Sequence, residues 1–354
     1  MPYQKTIAHI NKQIEKTESA LSNWNCEPEE LKSYRPQNGG WTINEILEHI
    51  SLTSFFLLKI IRKHVERAEK RAVAGQTIQN AESDLQKLKP VGIRGTSSWI
   101  RPEHMEPSGS ADMNVVYETI REQFAECRSF LERMNNGCGS LATVNMSVGN
   151  LGKMDMYQWI YFLTLHAWRH HIQIKEINEE YVTEQMTLTE VSGNDIATLQ
   201  KISIDTFRET YEQHNEATEI EVHIKKRFSK SALLDEIQNS ESQFFLACFD
   251  ATPIGYLKLN WGSSQTEQQL KAALEIERIY VVNAFHGKGI GKVLFQKSVD
   301  IAKARGFRQL WLGVWEKNPR AIRFYEKSGL KVFDTHFFVL GEEKQKDYLM
   351  KMDL

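Results

Sequence analysis

Seven residues from His286 to Lys292 form the segment best suited to binding an anion. The run His-Gly-Lys-Gly-Ile-Gly-Lys, here called the glycine loop, follows a strand-like run ending at Val282 and precedes an amphipathic helical pattern reaching Ala304. Glycines at such a junction let backbone N–H groups point into open space at a helix N-terminus, the geometry that holds phosphate or pyrophosphate. Spacing alone leaves a tight strand-to-helix turn as the alternative.

Two carboxylates precede the glycine loop. Strand alternation predicts that Glu275, Glu277 and Ile279 share one face of a strand. A carboxylate there is a candidate general base, able to take a proton through a water. The pair would also attract a cationic substrate, whereas solvated edge residues are the alternative.

Three histidines form a second candidate site. His166 and His170 lie four residues apart on a predicted helix, about 40° apart around its axis, so both face the same way. Such a pair can ligate Zn²⁺ or Ni²⁺, and His49 on another helix can supply a third ligand. His171 points elsewhere. Isolated core or surface histidines are the alternative.

Helices dominate the elements that must position these histidines. Thr42 and Glu45 form a capping box that opens one helix. Residues 73–112 have weak periodicity and are predicted to be an irregular crossover. Four helices with one long connection are typical of a bundle. The predicted helices cover the first segment, the stretch from Thr42, residues 113–135, and Asp155 to about Ile177.

The pattern changes at about Glu184, where strand-like runs alternate with helical ones. Helices are predicted from Asp195 to about Tyr211, after the glycine loop, and around Ala321–Lys327. Strands mixed with helices indicate an α/β or α+β domain. Residues 178–185 are the predicted linker. The predicted strands include MTLTEV, FFLACF, PIGYLKLNW, ALEIERIYVV, LWLGVW and two closing strands.

Length and charge limit the classes of function. A chain of 354 residues predicts two domains, and 44 basic against 46 acidic residues favour neither a nucleic-acid nor a membrane partner. Four cysteines in such a chain are not a disulfide framework, and the first residues show no secretory pattern. We therefore expect a reduced, cytoplasmic protein.

The second half resembles the GNAT acetyltransferases. The run IERIYVVNAFHGKGIGKVLFQKSV resembles their acetyl-CoA motif, with His286 where Gln or Arg is usual, and LWLGVWEKNPRAIRFYEKSGLKV matches their second signature. The resemblance implies an α/β GNAT acyl-CoA N-acyltransferase fold with a mixed central sheet over residues 185–354. Within the family, WLGVWE and THFFVLGEEKQKDYLM are most similar to the PaiA-type polyamine acetyltransferases.

This resemblance also implies roles for particular residues. Tyr325 stands where the family places the acid that protonates the departing CoA thiolate. Glu275 has the spacing of the base in some relatives, with Glu277 beside it, and His336 lies on closing strands that line the acceptor site. Acetyl-CoA would be bound by Ile279, Val281, His286, Gly287, Lys288, Gly289, Ile290, Gly291, Lys292 and Asn318.

The first half resembles the DinB-like bundle family. The runs GGWTINEILEHISL, RPEHMEPSG and HAWRHHIQIKEI carry the resemblance, over about residues 1–180. It implies an all-α four-helix bundle that binds one divalent metal, Zn or Ni foremost, through His49, His166 and His170. Some members are thiol-dependent S-transferases, so a low-molecular-weight thiol is an expected partner.

Together these patterns predict an N-acetyltransferase that moves the acetyl group of acetyl-CoA to a primary amine, with a small amine or polyamine favoured. It is fused to a metal-binding domain of thiol-transferase type. One alternative is an acetyl-CoA-sensing regulatory module attached to a metal-dependent thiol S-transferase. Another is a peptide N-terminal acetyltransferase. The oligomeric state stays open, with a homodimer among the candidates.

Overall fold

The computed structural model divides the chain into two compact units, Met1–Tyr181 and Val182–Leu354. Each unit buries apolar side chains of its own, as expected of independent domains. None of the described helices is long and apolar enough to span a bilayer. The structure describes residues 3–78, 82–95, 102–146, 149, 151–340 and 343–354.

The first unit is built from helices, and the predicted four-helix bundle is confirmed. Thr42 and Glu45 form the expected capping box: the Thr42 hydroxyl accepts from the Glu45 amide, and the Glu45 carboxylate accepts from the Thr42 amide. Apolar side chains at helical spacing, such as Ile10, Ile14 and Ile46, are fully buried. The helices are α1 (Gln4–Ser22), the short α2 (Glu29–Lys32), α3 (Ile43–Val73), α4 (Met113–Arg133) and α5 (Met156–Gln185).

Two features of this unit differ from the sequence-based expectation. A short antiparallel hairpin, β1 (Thr143–Met146) and β2 (Gly152–Asp155), precedes α5. Helix α5 continues to Gln185, so the predicted linker at residues 178–185, within which the two units divide, is helical, and Asn178 and Val182 are buried. In the crossover, the described residues include two 3₁₀ helices, Gln86–Gly92 and Glu103–Met105, whereas residues 79–81 and 96–101 lie outside the described part.

The second unit is a seven-stranded mixed sheet with helices, which confirms the predicted α/β fold. The strand order is β3-β4-β5-β6-β7-β9-β8, and β6–β7 is its parallel pair. The prediction did not include α7 and α8. The elements are β3 (Thr187–Glu190), α6 (Ile196–Tyr211), α7 (Ala217–Arg227), α8 (Lys230–Gln238), β4 (Ser242–Phe249), β5 (Thr252–Asn260), β6 (Ala273–Val281), α9 (Ile290–Ala304), β7 (Gln309–Trp315), α10 (Pro319–Lys327), β8 (Lys331–Leu340) and β9 (Glu343–Asp353).

The two parallel strands separate halfway along their length. Ala273–Ile276 of β6 pairs with Gln309–Leu312 of β7, but β6 continues to Val281 paired only with β5 among the described strands. The resulting opening between Glu277–Val281 and Gly313–Trp315 is called the cleft below. It leaves one edge of β6 without its parallel neighbour.

Backbone groups of β6 face this cleft. The Val282 amide donates to the Ile254 carbonyl at 3.0 Å, so Val282 directs its backbone toward β5. Backbone direction alternates along a strand, so Ile279 and Val281 direct their N–H and C=O groups toward the cleft. These are the two positions predicted to pair with the pantetheine amides.

A β-bulge interrupts the alternation of β6. Lys258 on β5 pairs with Arg278, but the next residue, Leu259, pairs with Ile276. Glu277 is therefore an extra residue in β6. Such an insertion breaks the period of two that places side chains on alternate faces.

The bulge changes which side chains share a face. Both Glu277 and Arg278 form ion pairs with α7 or α8. Val281, by contrast, lies on the face that α9 covers, as does Leu294 of α9. Ile279, two residues before Val281, takes that same face, so the predicted grouping of Ile279 with the two glutamates is wrong.

Candidate active site and metal centre

The glycine loop enters α9 through left-handed backbone. Gly287 and Gly289 have φ of 79° and 82°, and Gly289 is the N-cap of α9. The amides of Ile290 and Gly291 occupy the first helical turn, where no carbonyl of the same helix can accept them. The Lys292 amide differs, since it donates to the Gly289 carbonyl at 2.9 Å. The loop can thus direct several amides, together with the Lys292 side chain, at one anion.

Arg320 reaches the start of the loop from α10. Its Nη1 donates to Nδ1 of His286 at 2.6 Å, and Nε2 of His286 donates to the Val281 carbonyl at 2.7 Å. Burial lowers the pKa of His286, and the charge of Arg320 lowers it further. His286 is therefore neutral, and the positive charge here belongs to Arg320, which the sequence-based reasoning did not select.

Tyr325 lies on α10 and is 7% exposed, with its ring edge-on to Phe324 at 5.3 Å. Burial raises the pKa of Tyr325, and Tyr280 raises it further, so the phenol keeps its proton at neutral pH. A protonated, buried phenol suits a proton donor. Nearby, Asn318 caps α10 because its Oδ1 accepts from the Ala321 amide at 3.1 Å, which leaves its amide group to donate elsewhere.

Glu275 is almost completely buried, at 1% exposure. It accepts hydrogen bonds from the Thr266 amide at 2.8 Å, from the Thr266 hydroxyl and from Asn260 Nδ2 at 3.2 Å. Burial nevertheless raises its pKa, since it outweighs these hydrogen bonds. A carboxyl with a raised pKa is a stronger base when it is ionised.

Glu277 has a different environment, although Asn260 also donates to it, at 2.6 Å. Its carboxylate lies 2.9 Å from Arg227, 2.5 Å from Lys258 and 2.9 Å from Arg278. Burial raises its pKa, but the two cations Arg278 and Lys258 outweigh burial and bring the pKa to about 2. A carboxylate held in this way is a weak base, and its geometry favours a structural role.

His336 lies on β8 between two carboxylates. Its Nδ1 donates to Glu267 Oε1 at 2.9 Å, and its Nε2 lies 3.5 Å from Asp347 Oδ2. The hydrogen bond to Asp347 is the main cause that raises the pKa of His336 to about 9, with Glu267 adding to it against the effect of burial. His336 is therefore an imidazolium at neutral pH, a form that cannot accept a proton.

The histidine cluster of the first unit brings together the three predicted residues. His49 of α3 and His166 and His170 of α5 each offer a ring nitrogen, and these atoms all lie within 4.8 Å of one another. Ring centroids are 4.6 Å apart for His166–His170, 4.8 Å for His49–His170 and 5.3 Å for His49–His166. Small side-chain adjustments bring three such nitrogens onto one ion.

Hydrogen bonds orient two of these rings. His49 Nδ1 lies 2.7 Å from the Met105 carbonyl, and His170 Nδ1 lies 3.0 Å from Gln173 Oε1. Since both oxygens only accept, each Nδ1 carries the proton and each Nε2 carries the lone pair. Partners of this kind are typical around metal-ligating histidines. The Met105 carbonyl could not be identified from side-chain patterns.

A buried glutamate anchors the segment that carries Met105. Glu48 accepts from the Ser108 amide at 2.9 Å, from the Ser108 hydroxyl at 2.8 Å and from the Gly109 amide at 3.1 Å. Glu48 directly precedes His49 on α3. The Glu48 side chain therefore binds the crossover at Ser108 and Gly109, and the His49 side chain belongs to the histidine cluster. Met105 and Ser108 belong to the run RPEHMEPSG, whose first residue, Arg101, lies outside the described residues.

Burial keeps two rings of the cluster, His166 and His170, neutral. It lowers the pKa of His166 well below its ordinary value and that of His170 to about 3, and neighbouring His49 lowers both further. Neutral imidazole is the form that binds metals. His171 lies outside the cluster, as predicted, and its Nδ1 accepts from Trp24 Nε1 at 3.2 Å. The donor set therefore fits a divalent transition metal.

Comparisons with known proteins agree with the two-part architecture. Residues 9–174 match the DinB superfamily, and residues 199–330 match the acetyltransferase (GNAT) family. A PaiA N-acetyltransferase from Thermoplasma acidophilum, solved in complex with coenzyme A, is similar in structure at a TM-score of 0.41 and 28% identity. That alignment covers 48% of this chain and 99% of the other.

Two curated relatives match the second unit over most of their own length. An uncharacterised N-acetyltransferase of Lactobacillus delbrueckii subsp. lactis is 36% identical over 167 residues, which are 47% of this chain and 96% of that protein. A spermidine N(1)-acetyltransferase of Thermoplasma acidophilum is 31% identical over 152 residues, 42% of this chain and 89% of that protein. The chain thus belongs to the GNAT family of N-acetyltransferases, and the part that precedes its acetyltransferase domain matches the DinB superfamily.

Proposed function

We propose that the second unit transfers the acetyl group of acetyl-CoA to a primary amine of a small polyamine. The cleft carries the proposal, because it joins a strand edge, an anion-binding loop and a protonated tyrosine. The similarity to a spermidine acetyltransferase supports the polyamine as the acceptor. We place this activity in residues 185–354 and metal binding in residues 1–180.

Acetyl-CoA would lie along the cleft. The amides of Gly287, Gly289 and Gly291 hold its pyrophosphate, with Arg320 adding positive charge. The set Ile279, Val281, His286, Lys288, Ile290, Lys292 and Asn318 completes the proposed binding surface. Backbone groups at the β6 edge then pair with the pantetheine amides, because that edge has no parallel neighbour beyond Ile276.

The reaction needs one proton removed and one supplied. The amine nitrogen attacks the acetyl carbonyl carbon, the C–N bond forms and the C–S bond breaks. The departing thiolate takes the Tyr325 proton, and the amine gives its proton to Glu275 through a water. We place Glu275 ahead of Glu277 and His336 as the base, because Glu277 is held by cations and His336 is already protonated.

The test is release of CoA thiol by the full chain with acetyl-CoA and a panel of acceptors: spermidine, amino acids, aminoglycosides and peptides with free N-termini. We expect spermidine to be turned over fastest. Turnover of peptides without spermidine would support the peptide alternative, and acetyl-CoA binding without turnover of any amine would support a sensor.

A matched pair of glycine variants locates acetyl-CoA. Gly289→Glu places a carboxylate at the proposed pyrophosphate site and should abolish binding. Gly306→Glu makes the same change near the other end of α9, where φ is also positive, 74°, and a Cβ meets nothing within 4 Å. It should keep binding in calorimetry. Equal affinity of both variants would refute the placement.

We also propose that His49, His166 and His170 hold one divalent cation, with Zn²⁺ or Ni²⁺ favoured by imidazole ligands. The support is the convergence of three imidazole rings, two of which, His49 and His170, have their tautomers fixed by neighbouring acceptors. Such a cation stabilises a bound thiolate or polarises water. A low-molecular-weight thiol is therefore the proposed partner of this domain, and elemental analysis of tag-free protein is the direct measurement.

A further inference from the structure

A row of three side chains crosses the sheet beside the cleft. Trp315 on β7 pairs with Asp347 on β9, and Asp347 pairs with His336 on β8. Directly opposed residues point to the same face of a sheet. Gly313, two residues before Trp315, adds no side chain, and a Cβ there would lie 3.7 Å from Asp347 Oδ2. The Asp347 carboxylate therefore lies over bare backbone at the cleft.

Together with Glu267, His336 and Asp347 of this row carry a net negative charge. His336 contacts both Glu267 and Asp347, so one imidazolium faces two carboxylates. The side chains are 33% exposed for Glu267, 24% for His336 and 19% for Asp347, which allows a solute to reach them. With one positive and two negative charges, a cation of the substrate would complete the neutralisation.

Aromatic rings form the remaining wall. The Tyr211 ring lies 5.7 Å from that of Trp315, and its hydroxyl is hydrogen-bonded to that of Tyr280. Burial raises the pKa of Tyr211 and Tyr280, and the charge of Asp347 raises both further. Aromatic faces beside a carboxylate are a typical site for an alkylammonium group. Tyr280 in turn raises the pKa of Tyr325, the proposed acid.

We propose that Asp347 binds a second, protonated nitrogen of the acceptor, so that the enzyme selects diamines and polyamines over monoamines. The attacking nitrogen must be neutral, so the ammonium held by Asp347 belongs to a different position of the same molecule. This inference rests on the proposed amine acetylation. Asp347 is a specificity-determining residue, and Trp315 and Tyr211 shape its pocket.

The experiment compares kcat/KM for 1,3-diaminopropane and propylamine, which differ in the second nitrogen. Wild type should prefer the diamine, and Asp347→Asn should reduce this preference by about 10- to 100-fold, the scale of a charged hydrogen bond. The KM for acetyl-CoA should stay unchanged, and Asp347→Glu should restore part of the preference. Asp353→Asn, at the exposed end of the same strand, is the matched control.

Glu267→Gln is a second variant, at a more exposed position of the same charged group. It should lower the preference for the diamine over the monoamine by a smaller factor than Asp347→Asn. An undiminished preference in both Asp347→Asn and Glu267→Gln would refute the role of Asp347. A wild type that acetylates monoamines as well as diamines would refute the selection itself. Failure of wild type with every amine would instead refute the proposed function.

Discussion

The histidine cluster of the first unit and His336 of the second place the same side chain in opposite states. Burial lowers the pKa of His166 and His170, and the charges acting on them belong to other histidines and arginines. His336 is also partly buried, yet its two carboxylate neighbours raise its pKa to about 9. Burial alone therefore does not decide the charge of a histidine. A deeply buried ring without a carboxylate beside it offers a lone pair to a metal, whereas a partly buried ring between two carboxylates offers a proton to an anion.

The most severe test concerns Tyr325, where burial again favours the neutral form, here the acid. Tyr325→Phe should lower kcat by about 10²- to 10⁴-fold, the range for general acid catalysis, with little change in the KM for acetyl-CoA. Steady-state kinetics with spermidine measure both values. Tyr348→Phe on β9 is the control. A kcat for Tyr325→Phe within twofold of wild type would remove the acid role.

A second test asks whether the cluster of His49, His166 and His170 binds a metal. His170→Ala removes one ligand and should weaken metal affinity by more than about 100-fold. Losing only a hydrogen-bond partner of a ligand typically costs about 10- to 100-fold. The adjacent His171→Ala should keep the metal, because His171 bonds to Trp24 outside the cluster. Elemental analysis after dialysis measures the occupancy. Full metal occupancy in both variants would show that the cluster does not bind the metal and has a structural role.

A third test concerns Arg320, which a neutral histidine, His286, orients through a hydrogen bond. The expected change in the KM for acetyl-CoA is smaller than the effects above. Arg320→Ala should raise the KM for acetyl-CoA about tenfold, as expected for one lost charge-assisted contact, while kcat stays near wild type. Arg323→Ala on the same helix serves as the control. An unchanged KM for Arg320→Ala would show that Arg320 only supports His286.

The smallest effect concerns stability and pH. The folded pKa of His336, about 9, exceeds its ordinary value of 6.5, so its stabilising contribution is complete below pH 6.5 and is lost as pH rises through 9. His336→Gln lacks this contribution, so the difference in Tm between wild type and variant should shrink over that window. An NMR titration should find the His336 ring titrating near pH 9. A midpoint near 6.5 would contradict the ion cluster.

Features fixed by local patterns could be predicted from the sequence. The capping box at Thr42, the His166–His170 pair and the strand-loop-helix around the glycine loop each depend on residues a few positions apart. The charge of His336 could not, since it depends on Glu267, 69 residues away, and on Asp347 across a strand pair. The Met105 carbonyl was equally hidden, because backbone acceptors have no residue signature.

The extra residue in β6, Glu277, could not be predicted from the sequence for another reason. Glu277 and Arg278 read as ordinary alternating strand residues, and only the pairing with Lys258 and Leu259 reveals the insertion. The side-chain face of Glu275 was predicted relative to Glu277 correctly, since Asn260 contacts both. The error begins beyond the bulge, at Ile279.

That inserted residue limits how positions can be transferred between homologous enzymes. Deleting Glu277 would restore strict alternation without moving any other side chain of β6 to the opposite face, because Ile276 and Arg278 already pair with adjacent residues of β5. The residues before position 277 would, however, lie one position nearer to the glycine loop in the sequence. An alignment that counts residues backward from the glycine loop would thus equate side chains that face different layers whenever one homologue lacks the insertion. Assigning a base to this strand by its distance from the loop requires the gap to be placed at position 277 first.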